Sequence, residues 1–260
     1  MIKFFRRIRK SQLLQGKVSK YLLYAMGEIA LVMVGILLAL QVNNWNENKK
    51  AYESSKEYLN EILKDLEENS DLIGKGIYSC DEFMQNEVWA LQLTEYVPDQ
   101  ADSLWIALGG HFVFFTISDR TFQKLQNSGN TRLVGFDDIE DKLTHYFIKS
   151  KDRYDSFQEW DKFMTLEGQD YMKDLDERLE ISNYRMDFYA REASPREFPL
   201  GQDPVQQVII LIDFAESPRG RNHFKYNYMR HERARGFLKE MKTETDALIT
   251  EINNALTEAD

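Results

Sequence analysis

YLLYAMGEIALVMVGILLALQV, Tyr21 to Val42, contains one acidic residue, Glu28, and no Lys, Arg, Asp or Pro. At about 1.5 Å per helical residue this run is about 33 Å long, against about 30 Å for the hydrocarbon core of a bilayer. Tyr21 and Tyr24 lie at one end and Trp45 just past the other, where amphipathic rings favour the membrane interface. The stretch therefore reads as a transmembrane helix. A cleaved signal peptide fits less well. The run is long, and its exit, Leu40-Gln41-Val42-Asn43-Asn44, offers no small-residue cleavage site.

Charge sets the expected orientation. The chain carries 33 basic and 43 acidic residues, net −10, yet residues 1–20 hold seven basic side chains and no acid. Five of them, Lys3, Arg6, Arg7, Arg9 and Lys10, form a membrane-surface basic group. The positive-inside rule places this leader in the cytoplasm and residues 43–260 outside, in the periplasm. Ile2, Phe4, Phe5 and Ile8 alternate with the basics. The leader thus reads either as a topology signal or as a short amphipathic helix on an anionic leaflet. The remaining residues are strongly acidic, which excludes a nucleic-acid partner, because phosphate would be repelled.

Glu28 is costly within a bilayer, by about 2.5–3.5 kcal/mol at the centre, so it is expected to face protein or water. Gly27 and Gly35 lie near it and would let a second helix approach closely. Self-association through the anchor follows as an expectation. Glu28 reads either as a hydrogen-bonding group between helices or as a proton or cation site.

Beyond the anchor the pattern is helical throughout. Trp45, Tyr52, Leu59, Leu66 and Ile73 recur every seven residues, with Ile62 and Leu63 filling the stripe. The spacing predicts a helix that ends near Gly74 and Gly76, then a second from Tyr78 to Tyr96 broken by Pro98. Ala101–Leu108 reads as a short helix and residues 111–115 as a compact apolar run of undecided type. Ser118 or Asp119 is expected to cap a helix through Phe122 and Leu125 that stops at Ser128-Gly129. Asp137 and Asp138 cap the next, which Gly168 interrupts, and helical or mixed character continues from Tyr171 to Ala190. Pro195, Pro199 and Pro204 mark the clearest loop, and Val205–Phe214 is a short apolar helix. A long final helix starts at Ser217-Pro218 and runs to about Leu256. From Leu238 its stripe alternates three and four residues through Met241, Thr245, Leu248, Ile252 and Ala255. The fold class is mainly α: an N-terminal transmembrane helix (residues 21–42) after a basic leader (1–20), extended into a periplasmic helical bundle (43–260) closed by a long C-terminal helix.

MIKFFRRIRK followed by KYLLYAMGEIALVMVGILLALQVNNWNE resembles the opening of a large bacterial family of single-pass membrane proteins of unknown function. TFQKLQNSGNTRLVGFDDIEDKLTHYF, about residues 121–147, is similar to that family's middle motif, in which a Ser-Gly-Asn turn separates two helices. The resemblance implies a helical protein of a gram-negative inner membrane. It maps the family's intramembrane Glu onto Glu28 and its Asn-Trp-Asn exit onto Asn44, Trp45 and Asn46. It implies no activity and no catalytic residue.

Chemistry-bearing motifs point the same way. His111, His145, His223 and His231 form no HExxH, and no P-loop, GxSxG or GxGxxG occurs. A lone Cys80 excludes an intrachain disulfide and reads as a small buried apolar residue. Arg219, Arg221, Arg230, Arg233, Arg235, Lys225, Lys239 and Lys242 form a basic cluster on the last helix. It reads either as a face paired with the acidic residues 53–68 or as an anion site. The expectation is a non-enzymatic, homo-oligomeric scaffold or sensor with no cofactor and no metal. The alternative is a subunit of an ion-conducting or proton-coupled assembly using Glu28.

Overall fold

A computed structural model describes residues 18–109, 111, 113–127, 132–180 and 199–258, with the side chains of the first helix described from Leu22. Every regular element among them is helical. In chain order these are α1 (Val18–Gln92), α2 (Ala101–Leu108), α3 (Arg120–Asn127), α4 (Asp137–Thr144), α5 (Lys151–Gln169), α6 (Lys173–Arg178), α7 (Pro204–Glu216) and α8 (Pro218–Glu258). Short 3₁₀ turns at Pro98–Gln100 and Asp170–Met172 precede α2 and α6, and a π-helical stretch, His145–Ser150, joins α4 to α5. The leader, the Ser128-Gly129 stop, Pro195 and the proposed helical residues 181–190 lie outside the described residues.

The chain divides into two units, one of Met1–Glu57 with Arg132–Phe136 and one of Tyr58–Thr131 with Asp137–Asp260. In the first unit, Tyr52 stacks on Phe136 with ring centroids 5.5 Å apart. Gly135 closes the turn before Phe136 at φ +86°, a left-handed conformation that suits glycine. The rest of that unit's described residues belong to α1.

In the second unit the α1 heptad continues past Ile73. Leu59, Leu66, Ile73 and Cys80 are all fully buried, and Glu87 is buried at the next step. α1 and α8 run antiparallel. Contacts climb one helix as they descend the other: Ser70 to Asp246, Gly76 to Leu238, Asp81 to Arg235, Glu87 to His231. Two apolar cores form along this pair. One gathers Ile73, Cys80, Ile117, Tyr154, Ala234, Leu238 and Met241. The other gathers Ala90, Leu104, Leu108, Met172, Leu211, Phe214 and Phe224.

The predicted stop at Gly74 and Gly76 does not occur; α1 runs on to Gln92. Packing replaces termination as the reason for glycine at position 76. A Cβ there would sit 3.0 Å from Val113, 3.1 Å from Leu238 and 3.2 Å from Phe115. The second predicted helix is thus the last part of α1, and the chain leaves helical geometry at Leu93 rather than Tyr96. Gly168 likewise does not break α5. It lies beneath Tyr226, 3.3 Å from where a Cβ would be, and α5 continues to Gln169.

The capping of α3 differs from expectation as well. Asp65, buried on α1, accepts the Thr121 backbone N–H at 2.9 Å. The amide of Asn69, one turn on, brackets Ser118 by accepting its N–H at 2.7 Å and donating to its carbonyl at 2.9 Å. The first-turn donor that a local cap would serve is therefore met from a distant helix. The residues 111 and 113–119 form an irregular segment, with Phe114 exposed and Ile117 buried.

α8 follows the expected stripe. Leu238, Met241, Thr245, Leu248 and Ile252 are buried, and the Thr245 hydroxyl pairs with Tyr146 at 3.0 Å. At its start Gly220 admits no side chain. A Cβ would lie 2.1 Å from the Phe214 carbonyl oxygen. Gly220→Ala is expected to destabilise the second unit by about 1–3 kcal/mol through forced overpacking. Gly74→Ala is expected to stabilise it by about 0.5–1 kcal/mol, since only Lys242 approaches that position, at 3.8 Å. Chemical denaturation of the full chain followed by circular dichroism reads both.

Candidate functional site

Two features carry chemistry, one in each unit. In the first, Leu22 to Val42 is a helical surface on which only Ala25 is less than exposed. α1 holds an 18-residue window of mean hydropathy 2.2, none of it buried, long and apolar enough to cross a membrane. Tyr24 and Trp45 are exposed near its two ends, about 32 Å apart along an α-helical axis. Glu28 is exposed within the window, and neither Gly27 nor Gly35 has any atom within 4 Å of an added Cβ. At about 100° per residue, Glu28 and Gly35 project within about 20° of each other, while Gly27 lies on the flank of that stripe. The side chain of Tyr21 and the basic residues Lys3, Arg6, Arg7, Arg9 and Lys10 lie outside the described residues.

The second feature is a buried polar layer. Along α1 it sits at Glu87, between Cys80 of one core and Ala90 of the other. Along α8 it sits at Asn227, Arg230 and His231, between Phe224 and Ala234. Arg230 donates to Asp161 of α5 at 2.7 Å, with both side chains 1% exposed. The same guanidinium donates to the His111 carbonyl at 2.5 Å. His231 meets Glu87 through Nδ1 at 2.7 Å. Phe83 packs against both imidazoles nearby, 5.0 Å from His231 and 5.1 Å from His111.

One helical turn or two away on α8, His223 points Nδ1 at the Gly168 carbonyl, 3.1 Å, and Nε2 at the Leu108 carbonyl, 2.9 Å. Asn227 lies 3.0 Å from Nε2. Burial holds the pKa of His223 below the ordinary 6.5, and burial followed by the charges of His231 and Arg230 does the same for His111. Burial pushes the Glu87 carboxyl up, against the opposing pull of His231 and Arg230. Cys80, also buried, is raised to about 12 and remains a thiol. Four buried polar atoms of the layer have no hydrogen-bond partner: Glu87 Oε2, Asp161 Oδ2, Asn227 Oδ1 and Arg230 Nε. Among the described residues no three His, Cys, Asp or Glu side chains are grouped to hold a metal ion.

The basic cluster on α8 is dispersed, not gathered on one face. Arg230 is buried on Asp161, and Arg235 pairs with Asp81 at 2.8 Å. Arg233 covers the Trp160 ring at 4.4 Å. Lys242 bonds Asp246 and Ser70. Arg219 donates to the Tyr171 carbonyl, and Arg221 to the carbonyls of Leu91 and Leu93, where α1 ends. The acids used are thus Asp81, Asp161 and Asp246 rather than residues 53–68. Sequence reasoning missed the polar layer because Glu87, Arg230 and His231 are common surface residue types. The signal that would have found Glu87 is its place on the heptad of Leu59, Leu66, Ile73 and Cys80.

Residues 28–81 match a family of unknown function, DUF6090. The match overlaps residues 28–42 of the anchor and stops short of Glu87 and of the middle motif at residues 121–147. No curated protein and no solved structure matches the chain.

Two outcomes are expected. Arg230→Met should cost about 3–5 kcal/mol by leaving Asp161 buried without its counter-charge, and adding Asp161→Leu should restore most of that loss. Urea denaturation of the single and double variants measures it. His223 is kept neutral in the fold, so on acidification the unfolded chain takes up a proton first. Its contribution is present above pH 6.5 and is lost as pH falls below that value, by up to about 1.4 kcal/mol per pH unit. His223→Gln should make the acid limb of the stability profile shallower.

Proposed function

We propose that this chain is a non-enzymatic, membrane-anchored helical scaffold or sensor of a bacterial inner membrane. In this reading residues 1–20 are cytoplasmic, residues 21–42 span the bilayer, and residues 43–260 are periplasmic. Copies associate through the anchor and the adjoining part of α1, and the partner besides lipid is a second copy of the chain. The observation that carries the reading is the all-round exposure of the apolar residues Leu22–Val42. A surface of that size would not stay in water, and a bilayer is the solvent that suits its length. The Glu28 and Gly35 stripe supports helix pairing, because small residues permit close approach and a carboxyl can hydrogen-bond across the contact. The inward arrangement of the polar layer, with Arg230 on Asp161, His231 on Glu87 and His223 on two backbone carbonyls, supports a structural rather than catalytic role.

A second reading has the Glu28 side chains of several copies line a proton or cation path. Exposure of that carboxyl within the apolar window favours it. Flux across proteoliposomes that Glu28→Gln leaves unchanged would remove this reading.

The anchored reading is tested in membranes. Carbonate washing is expected to leave the protein in the pellet, and protease added to intact spheroplasts is expected to digest residues 43–260 while sparing the leader. Release by carbonate, or full protection from protease, would overturn it. Gly35→Ile and Glu28→Gln are each expected to weaken self-association by about fivefold to thirtyfold, the equivalent of about 1–2 kcal/mol, as read by crosslinking in membranes.

A further inference from the structure

His231 Nε2 stands between groups that ask opposite things of it. The Arg230 guanidinium, which can only donate, lies 2.8 Å away, and the His111 carbonyl, which can only accept, lies 2.9 Å away. A proton on Nε2 satisfies the carbonyl and opposes the guanidinium; its absence does the reverse. On the other side of the ring, Nδ1 is 2.7 Å from Glu87. Charge deepens the conflict. With a neutral imidazole, Arg230, Asp161 and Glu87 leave one net negative charge buried. With one more proton on the Glu87–His231 pair, the layer is neutral.

We propose that Glu87 and His231 together form a buried one-proton site that makes the docking of the corner residues Leu108 and His111 onto α8 sensitive to pH. The corner is held at two carbonyls, Leu108 by His223 and His111 by His231 and Arg230. Proton uptake cancels the buried charge and gives His231 an N–H for the His111 carbonyl. Proton loss restores the buried charge and withdraws that donor. The sign follows from Glu87, whose carboxyl burial raises, so that the fold holds its proton more tightly than the unfolded chain does. The contribution is present at low pH and is lost as pH rises through the site's titration.

Every element packed on the site contributes a charged or titratable group. α1 brings Cys80 and Asp81, α5 brings Tyr154 and Asp161, the corner brings the His111 ring, and α8 brings His223, Arg230 and Arg235. Asp161 is matched by Arg230 and Asp81 by Arg235. Cys80 and Tyr154 are pushed upward by burial and stay uncharged. His111 and His223 are held neutral, and their protonation acts in the opposite sense, on the acid side. The raised carboxyl of Glu87 agrees with a proton held at its end of the pair. This inference does not rest on the membrane reading and stands or falls separately from it.

The test uses the full-length chain in mild detergent. In the wild type, the ¹⁵N shifts of His231 are followed with pH, together with hydrogen exchange at the amides of residues 111 and 113–119, corrected for intrinsic rates. The His231 ring is expected to titrate, and the opening equilibrium of the corner to rise by up to tenfold per pH unit on the alkaline side, in step with it. Glu87→Gln, which removes the negative charge but keeps the shape, is expected to reduce that rise to less than twofold per unit. His231 shifts that stay constant over the whole folded pH range would overturn the proposal without any variant. A folded Glu87→Gln protein that keeps the wild-type exchange profile would overturn it too.

Discussion

The second unit depends on one antiparallel contact, the packing of α1 beyond Tyr58 against α8. Gly76 gives it room, because Leu238 and residues of the 113–119 segment fill the space a side chain would take. From that point the register runs outward. It reaches Asp81 with Arg235 and Glu87 with His231 in one direction, and Ser70 with Asp246 in the other. The shorter helices fill the flanks. α3 is held at its first turn by Asp65 and Asn69 of α1, and α5 by Arg230 of α8. Remove the long pair and neither the distant cap nor the buried ion pair has a frame.

A polar layer between two apolar cores is an expensive way to build such a contact. Desolvation of Arg230, Asp161 and Glu87 offsets much of what their attraction contributes, and well-packed apolar residues would often do as well. What the layer adds is definition. An ion pair, two histidines and three backbone carbonyls can be brought into contact in few registers, whereas apolar stripes tolerate sliding by a turn. It also adds titratability in a place where each proton alters a buried charge. The first unit presents the complementary situation. Its apolar helix is exposed all round, and one carboxyl, Glu28, lies on that surface.

Much of the helical plan could be read directly. Leu59, Leu66 and Ile73 announce their stripe, Ser217-Pro218 starts α8 where expected, and Leu238 to Ile252 are buried in the spacing predicted. The misreadings share a cause. Gly74 and Gly76 read as punctuation, since glycine at the end of a helix and glycine beneath a neighbour are the same letter. Asp65 belongs by sequence to the acidic run at residues 53–68. It is buried because α3, more than fifty residues later, brings an unpaired N–H to it. Arg230 reads as one member of the basic cluster, and only its contact with Asp161 separates it from Arg233 and Lys239.

Local composition and periodicity suffice for whatever depends on one segment and its solvent. The length and apolar character of Tyr21–Val42, the basic bias of the leader, and the faces of the long helices are of this kind, because hydrophobic transfer and helical pitch act residue by residue. Tertiary structure alone decided which glycines are packed under side chains, which acids cap or pair, and where the two buried histidines point. Those outcomes turn on groups brought together from α1, α5, α8 and residues 108 and 111, and a distance between remote residues has no expression in the order of the chain.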